Sequence, residues 1–447
     1  MNALQALMVL ATATLTLPAL ALPALAQNAL AQTALAQTAL AQTALAQTAL
    51  AQTALAQTAA DQFHPKRGLN FDIWVQWMDT KDMLNTPGFL DIYPDWRTHV
   101  SVTAINALPA QGYDFARLPM DPAPLLALGP GQPQDALIAQ IASTAALVQA
   151  SGLKVIIDMH SFPRPNEAWG VDTILSDPAL FAAYTTLIGR VAASLNGMDP
   201  TRTAFEPMNE PTNDCDAIWG DAVPQWPAQL TALYTEARRH APDLPLVLSG
   251  ACWGGPEGLA ALTPLPDANI LYSFHSYTPF LFTHQGADWT SGLESILHHL
   301  PYPPTLLTGD TPRDLARDAS RWARAEKIQT DPPATQANLM RAFAEYRQDP
   351  DGQVSRAAQI AAAWADAHAI PRNRLLLGEF GAHRTDDDTP ADAASRARFL
   401  RAKSLSASAL GIGWAVWSWS GNFGVAEDTP NRRPDPAICR ALGLPCQ

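Results

Sequence analysis

Two glutamates stand out because each follows a short apolar run. Glu210 lies in FEPMNEP at 205–211, and Glu379 lies in GEFG at 378–381. Two carboxyl groups that face each other across a cleft can divide a reaction between a proton donor and a nucleophile. Cleavage of a glycosidic bond has this requirement, and a separation of roughly 5 to 5.5 Å makes the second carboxylate a nucleophile. The two glutamates are therefore candidates for these two roles.

Polar and aromatic side chains end several other apolar runs in the same way. They comprise an arginine, two histidines, an amide, a phenol and two indoles: Arg117, His160, Asn209, His275, Tyr277, Trp417 and Trp419. A permanently charged arginine keeps a neighbouring carboxylate ionised, and a phenol can donate a hydrogen bond to it. Indole faces suit the apolar C–H faces of a β-linked sugar. We predict that these side chains and the two glutamates form one site. Trp419 lies two residues after Trp417 and so on the same strand face, and it either lines the site, the interpretation we favour, or plugs the barrel.

The proton donor needs a special environment. To hold a proton near neutral pH, Glu210 must have a raised pKa, and partial burial and the negative charge of Glu379 both act in that direction. His275 could polarise Glu210. Glu206 lies four residues before Glu210 on the same predicted strand, so it points inward at a deeper level. We interpret Glu206 as a buried, paired structural carboxylate.

Eight short apolar runs carry these residues at or near their ends. They span 67–74, 113–120, 153–162, 203–211, 244–253, 269–280, 374–381 and 413–424. Several are too continuously apolar for a strand with one wet face, which is typical of a parallel sheet covered by helices. Stretches with helical periodicity lie between them at 134–151, 178–196, 223–240, 353–368 and 391–410.

This alternation predicts an α/β protein, specifically a (β/α)₈ TIM barrel. A doubly wound sheet is the rival fold, but no glycine-rich phosphate loop follows the first run. The active site of a barrel lies at the C-terminal ends of its strands. Because the fourth and seventh strands face each other across the barrel, this fold would bring Glu210 and Glu379 together.

The motifs around both glutamates resemble the two catalytic strands of glycoside hydrolase family 5, which contains cellulases, mannanases and related retaining β-glycanases. The resemblance implies that Glu210 is the acid/base and Glu379 the nucleophile. It also implies that Asn209 binds the 2-hydroxyl of the sugar being cleaved and that Arg117, in ARLP, holds the nucleophile. The match extends to DMH at His160, FHSY at His275 and Tyr277, and AVWS at Trp417, in order from 68 to 423.

One connection in the predicted barrel is unusually long. The insertion after strand 6, about 281–352, is rich in proline, and it predicts a lid or a wall of the substrate cleft, with a decorative subdomain as the alternative. Tryptophans in this and other loops are either sugar platforms or loop packing: Trp74, Trp77, Trp169, Trp219, Trp253 and Trp289.

The N-terminal region has no charged residue. Residues 1–26 are rich in Leu and Ala and end in a small-residue cleavage pattern, which predicts a signal peptide, although no basic residue precedes the apolar core. Residues 27–60 contain the five-residue repeat AQTAL, whose period fits neither a helix nor a strand, and we interpret them as a low-complexity linker. We therefore expect an exported catalytic domain at 61–447, periplasmic or extracellular, with no stable membrane insertion after cleavage.

The charge and the cysteines limit the partners. The net charge of −13 argues against nucleic acid and anionic membranes and suits a neutral carbohydrate substrate. The four cysteines predict two disulfides in an exported protein, Cys215–Cys252 and Cys439–Cys446, because their spacings fit a zinc site poorly. We predict no cofactor and no metal, since Asp158 and His160 lack a further ligand set. The oligomeric state cannot be read from the sequence.

The function predicted from these features is retaining hydrolysis of a β-linked polysaccharide or oligosaccharide, with β-1,4-glucan as the favoured substrate. A β-mannanase or an exo-β-glucanase of the same fold is an alternative. A catalytically silent carbohydrate-binding barrel belongs to another class, but it would have no chemical need for a proton donor opposite a nucleophile. A metal-dependent hydrolase is the third alternative, and chelation would expose it.

Overall fold

A computed structural model describes residues 58–71, 100–161, 169–384, 391–426 and 433–445. Eight parallel strands form a closed barrel in sequence order, and β1 pairs with both β2 and β8. The strands are β1 Arg67–Asn70, β2 Phe115–Met120, β3 Lys154–Met159, β4 Thr203–Glu206, β5 Leu246–Ser249, β6 Ile270–His275, β7 Leu375–Glu379 and β8 Gly413–Val416. The predicted (β/α)₈ barrel is confirmed.

The strands are buried on both faces because helices cover the barrel outside and side chains fill it inside. Strands β4 and β8 are shorter than the apolar runs that predicted them, which continued to 211 and 424. The residues beyond Glu206 and Val416 belong to loops at the barrel mouth. Side-chain directions that were deduced from strand alternation therefore do not hold beyond Glu206 and Val416.

The N-terminal end of the barrel is plugged by α1 (Ala59–Phe63). Its Ala60 and Phe63 pack in one buried cluster with inward side chains of the strands, among them Phe115 and Ile156. Thr58 forms a capping box with Asp61, which also pairs with Arg374 at 2.7 Å. Residues 58–60, which the sequence prediction assigned to the linker, thus take part in sealing this end of the barrel.

The helices that follow form the outer layer and the loops. They are α2 Val102–Ala107, α3 Ala123–Leu128, α4 Gln132–Ala150, α5 Val171–Ser176, α6 Pro178–Leu195, α7 Cys215–Trp219, α8 Trp226–His240, α9 Ala251–Gly254, α10 Pro256–Ala260, α11 Phe280–Thr283, α12 Thr311–Ala325, α13 Pro332–Tyr346, α14 Pro350–Ala367, α15 Ala393–Ala409 and α16 Pro436–Ala441. Helix α6 is long and apolar enough to cross a membrane, but Tyr184, Ile188 and Val191 on it are buried in the protein core.

The insertion after β6 is folded. It contains α11, two short 3₁₀ helices, Leu293–Ile296 and Pro304–Leu306, and the helices α12 and α13, which pack together. Its Leu297, Leu300 and Phe343 belong to the main hydrophobic core. Helix α14 then leads back to β7. The predicted insertion at 281–352 thus forms a compact addition to one side of the barrel mouth.

A disulfide joins the loops that follow β4 and β5. Cys215 and Cys252 are bonded with their Cα atoms 4.7 Å apart, as the sequence predicted. Cys252 and Trp253 have the left-handed φ values of 55° and 64°, which cost energy in residues other than glycine. Hydrogen bonds from their backbone N–H groups to Asn213 O (3.0 Å) and Pro211 O (2.9 Å) hold them there. The predicted Cys439–Cys446 pair includes Cys446, which lies outside the described residues.

Candidate active site

The two glutamates face each other at the C-terminal mouth of the barrel. A carboxylate oxygen of Glu210, one of Glu379 and a ring nitrogen of His275 all lie within 4.8 Å of one another. Glu379 ends β7 and is almost fully buried, whereas the Glu210 side chain, in the loop after β4, is 22% exposed. The fold therefore places the pair close together, with one member open to the cleft.

Arg117 is the centre of the site. It lies on β2, is fully buried, and donates to four different side chains. Its Nη1 contacts Glu379 Oε1 at 2.7 Å and Asn70 Oδ1 at 3.0 Å, and its Nη2 contacts Asn209 Oδ1 at 2.7 Å. Its Nε donates to Glu206 Oε2 at 2.7 Å. One guanidinium on β2 thus fixes the positions of side chains from β1, β4, the loop after β4, and β7.

Two further carboxylates neutralise this cation. Glu206 accepts two hydrogen bonds from Arg117, through Nε and through Nη2 (3.1 Å), and Asp158 Oδ2 lies 2.9 Å from Nη2. Burial lowers the pKa of Arg117, but Asp158, Glu206 and Glu379 outweigh it and raise the pKa well above its ordinary value. Glu206 is therefore a buried, paired carboxylate, as interpreted from the sequence.

Both oxygens of Glu379 receive a donor. Arg117 donates to Oε1, and Tyr277 OH donates to Oε2 at 2.9 Å. Burial, and then the charge of Glu379, raise the pKa of Tyr277 well above its ordinary value, so the phenol keeps its proton and remains a donor. The two donors fix the orientation of the carboxylate.

Glu210 has a different environment. Burial raises its pKa to about 7, so a proton is available on it near neutral pH. His275 Nδ1 lies 2.7 Å from Glu210 Oε1, and burial lowers the pKa of His275 to about 4, which leaves the imidazole neutral. Glu210 also has a φ of 37°, a strained conformation of the kind found at functional sites.

His160 lies beside Glu379 and contacts three further side chains. His160 Nδ1 is 2.6 Å from Asp158 Oδ2, its Nε2 is 3.3 Å from Asn209 Nδ2, and its ring stacks on Trp417 with centroids 5.2 Å apart. Burial lowers the pKa of His160 to about 4 and raises that of Asp158 to about 7. These contacts hold Asn209 and the Trp417 indole next to the nucleophile candidate.

Trp419 does not line the site, and this prediction was wrong. The side chain is fully buried and packs edge-on against Phe71, with ring centroids 5.6 Å apart. The prediction assumed that Trp417 and Trp419 share one strand face. Strand β8 ends at Val416, so the two-residue alternation does not reach position 419.

Sequence reasoning missed Asn70, the last residue of β1. Its side chain accepts from Arg117 and donates to the carbonyls of Gly378 (3.0 Å) and Val416 (3.2 Å), and so ties β1 to β7 and β8. A polar residue at the end of a barrel strand was the available signal. Gly378 was also missed: a Cβ there would lie 2.9 Å from His275 Nε2, so glycine makes room for that ring.

Lys403 on α15 is a further residue near the site that the sequence analysis did not predict. It is buried, and its Nζ donates to Ser276 Oγ at 2.7 Å. Ser276 is the residue between His275 and Tyr277 in the sequence. The backbone N–H of Ser276 in turn donates to Glu379 O at 3.0 Å. Burial lowers the pKa of Lys403 to about 7. Lys403 therefore braces the end of β6 from behind the site.

A cavity of about 1250 Å³ opens from Glu210, His275 and Tyr277 toward the insertion. Two of the loop tryptophans line it, Trp253 and Trp289, which are 45% and 53% exposed. Trp219 is 70% exposed but does not line the cavity, and Trp169 packs against the core. Trp74 and Trp77 lie outside the described residues.

The Glu210–His275–Glu379 group is also a geometry that could hold a cation. Each of the three ligand atoms, however, is within hydrogen-bond distance of another protein group: Glu210 and His275 of each other, and Glu379 of Arg117 and Tyr277. A fully buried guanidinium beside Glu379 already supplies the positive charge that a metal would bring. The donor set therefore suits proton transfer better than metal binding.

Two curated relatives show what the sequence is similar to. Endoglucanase 3 of Fibrobacter succinogenes is 25% identical over 297 residues, which are 65% of this chain and 40% of that protein. Endoglucanase C of Acetivibrio thermocellus is 25% identical over 210 residues, which are 46% of this chain and 58% of that protein. The matched parts thus span 40% and 58% of the relatives' own lengths.

Solved structures share the fold. An endo-β-1,4-glucanase described as hyperthermophilic, in complex with substrate, has a TM-score of 0.60 at 18% identity and covers 87% of this chain and 100% of its own. Cel5A of Thermotoga maritima in complex with mannotriose has a TM-score of 0.57 at 19% identity, covering 86% and 100%. Residues 78–423, most of the chain, match the family described as Cellulase (glycosyl hydrolase family 5). With the barrel closed and both glutamate motifs at its mouth, this match makes the chain a member of glycoside hydrolase family 5.

Proposed function

We propose that this glycoside hydrolase cleaves β-1,4-linked glucan by a retaining double displacement, with Glu379 as nucleophile and Glu210 as acid/base. The observation that carries the proposal is the geometry of the two carboxylates. Oxygens of the two groups lie within 4.8 Å of each other, a separation suited to a nucleophile rather than to a water-filled gap.

In the first step, a carboxylate oxygen of Glu379 bonds to the anomeric carbon while the glycosidic C–O bond breaks. Glu210 gives its proton to the departing oxygen, so the leaving sugar departs as an alcohol. Arg117 and Tyr277 orient Glu379 for the attack. A hydrogen bond from Asn209 to the 2-hydroxyl and the face of Trp417 would position the ring.

In the second step, ionised Glu210 takes a proton from water, and the water oxygen bonds to the anomeric carbon as the bond to Glu379 breaks. The charge on Glu379 is absent in the covalent intermediate, which favours the ionised form of Glu210 at this stage. A raised pKa in the free enzyme and a lower one in the intermediate let one side chain serve as acid and then as base.

The choice of β-1,4-glucan rests on the two relatives, both of which are named endoglucanases. A mannan is the second candidate, because a protein of similar fold was solved with mannotriose. The side chains that contact Arg117 and Glu379 are compatible with either sugar, since barrels with the same inner site host many specificities. Endo or exo action depends on the loops.

We also propose that the protein is exported. The charge-free apolar segment at 1–26 supports this localisation. The Cys215–Cys252 disulfide supports it independently, because disulfides persist in oxidising compartments.

The proposal is tested by measuring sugar release from soluble cellulose, mixed-linkage glucan, β-1,3-glucan, xylan and mannan, with the full chain and its Glu379→Gln variant. We expect cleavage of the β-1,4-glucans with retention of the anomeric configuration, seen by NMR, and no turnover by the variant. An inverted product would contradict the mechanism. Activity lost with a chelator and restored by a divalent ion would favour a metal-dependent hydrolase, and binding without cleavage would favour the silent barrel.

A further inference from the structure

We propose that the insertion after β6 builds a sugar-binding site on the leaving-group side of Glu210. Trp289 would be its platform, and Gln353 and Arg356 would bind hydroxyl groups of a neutral β-linked glycan. This inference rests on the proposed function, because Glu210 defines the leaving-group side only if it is the acid.

The position of the cavity indicates on which side of Glu210 this sugar would bind. It is lined at one end by Glu210, His275 and Tyr277, and not by His160, Asn209 or Trp417. Those last three residues group around Glu379, which does not line the cavity either, and the attacked sugar would lie on that side. Since an acid lies beside the oxygen that it protonates, the space beyond Glu210 receives the leaving group.

The size of the cavity suits more than one sugar ring. Its volume of about 1250 Å³ exceeds the roughly 300–1,000 Å³ typical of sites for drug-sized molecules. Residues of the insertion and of the first turns of α14 form the wall farthest from the barrel strands. A single departing monosaccharide would leave most of this space unfilled, so the cavity fits an oligosaccharide.

Trp289 is held in place and still exposed. Its indole packs edge-on against His383, with centroids 4.9 Å apart, and lies 6.1 Å from Phe423, yet 53% of the residue is accessible. A fixed, exposed indole in a cavity loses little entropy when a sugar face covers it. Trp253, which also lines the cavity, offers a second indole from the loop after β5.

The start of α14 supplies the polar groups. Asp349 accepts from Gly352 N at 3.0 Å and pairs with Arg356 at 3.0 Å, while Gln353 Nε2 donates to Tyr346 O at 2.9 Å. Guanidinium, amide and carboxylate groups together can both donate to and accept from sugar hydroxyls. The lining of the cavity includes three acidic residues, Glu210, Glu257 and Asp349, and one arginine, Arg356. This balance favours a neutral sugar over an acidic one.

The test compares two substrates in the full chain. Cellopentaose places sugars on the leaving-group side, whereas an aryl β-cellobioside with an activated phenol does not. For Trp289→Ala and for the double variant Gln353→Ala/Arg356→Ala, we expect kcat/KM on cellopentaose to fall by about tenfold, the scale of a truncated binding anchor. Hydrolysis of the aryl glycoside should stay within about twofold of wild type.

Trp219→Ala is the matched control, since Trp219 is more exposed than Trp289 but lies outside the cavity lining. It should change neither substrate. Equal losses on both substrates, or no loss on cellopentaose, would overturn the proposal. If Trp289→Ala does not fold, Trp289→Leu and the double variant provide the same comparison.

Binding separates this inference from the proposed mechanism. Calorimetric titration of the Glu379→Gln chain with cellotetraose should show an affinity about tenfold weaker when Trp289→Ala is added. That result would support the site even if the wild-type chain released no sugar, an outcome that would instead overturn the proposed function. Unchanged cellotetraose affinity with normal turnover would overturn the site alone.

Discussion

The barrel mouth and the insertion wall form one cleft but are built in opposite ways. At the mouth, Arg117, Glu206, Asp158 and Glu379 are buried, and the guanidinium forms ion pairs with all three carboxylates. In the wall, Arg356 and Asp349 form an ion pair with both side chains more than half exposed. The mouth is fixed by satisfied charges in a low dielectric, whereas the wall presents groups whose hydrogen-bonding capacity is still available.

This difference separates chemistry from recognition. A reaction at one carbon needs groups held within a fraction of an ångström, and a buried network provides that. A long flexible substrate needs only surfaces that it can cover, and an exposed wall provides these. Damage to the buried network around Arg117 should therefore affect every substrate, loss of the proton donor Glu210 should affect only substrates whose leaving group needs a proton, and damage to the wall should affect only substrates that reach it.

The largest expected effect is at Glu210. Glu210→Ala should lower kcat/KM on glucan by about 10²–10⁴-fold, the usual contribution of general acid catalysis, and should spare an aryl glycoside whose phenol leaves without a proton. The measurement is kcat/KM for both substrates in wild type and variant. Similar losses on both substrates would remove the acid/base role from Glu210.

The next prediction compares the two regions by stability. Glu206→Gln removes one of the buried carboxylates that neutralise Arg117, and the free energy of unfolding should fall by about 3 kcal/mol. Asp349→Asn is the matched change in the wall, and because that pair is exposed the loss should be below about 1 kcal/mol. Denaturant unfolding followed by circular dichroism measures both. Equal losses would break the comparison between mouth and wall.

Removal of the Cys215–Cys252 disulfide tests whether this bond holds the loop that carries Trp253 at the cavity. Cys215→Ser/Cys252→Ser should lower the free energy of unfolding by about 2–4 kcal/mol, since the bond closes a loop with a sequence separation of 37. The left-handed conformations of Cys252 and Trp253 should then relax. We expect a higher KM for cellopentaose with little change on the aryl glycoside. Cys439→Ser/Cys446→Ser is the control, and it should leave the KM for cellopentaose unchanged.

The sequence was sufficient to predict the mouth because barrel strands repeat one rule. Each strand ends at the same rim, so a polar residue at the end of an apolar run belongs to the site. That rule located His160, His275 and Glu379, whereas Arg117 lies in the middle of β2 and was identified by its ARLP motif. It would also have located Asn70 if the first strand had been read in the same way.

The same rule failed where a strand had already ended. Trp419 was placed in the site by counting two residues from Trp417, but β8 stops at Val416 and the chain turns. The insertion has no repeating geometry to count, so the position of Trp289 depends on its packing against His383 and Phe423, and that of Arg356 on where α14 packs. Lys403 has no signal in the sequence because a lysine on a helix is ordinarily exposed.

The smallest expected effect is a change in kcat/KM of about tenfold per pH unit. Its pH dependence distinguishes the titration of two carboxyl groups at the mouth, Glu210 and Asp158. Burial raises the pKa of both Glu210 and Asp158 to about 7. Glu210 must be protonated to act as the acid, so kcat/KM on glucan should fall as the pH rises through about 7. The aryl glycoside needs no proton and should show no such fall. Asp158 holds Arg117 and His160, which both substrates need. Because Asp158 pairs with Arg117 as a charged group only when it is ionised, its titration would raise kcat/KM on both substrates over the same pH range, whereas a fall on glucan alone would assign that fall to Glu210. A parallel fall on both substrates would contradict the assignment to Glu210.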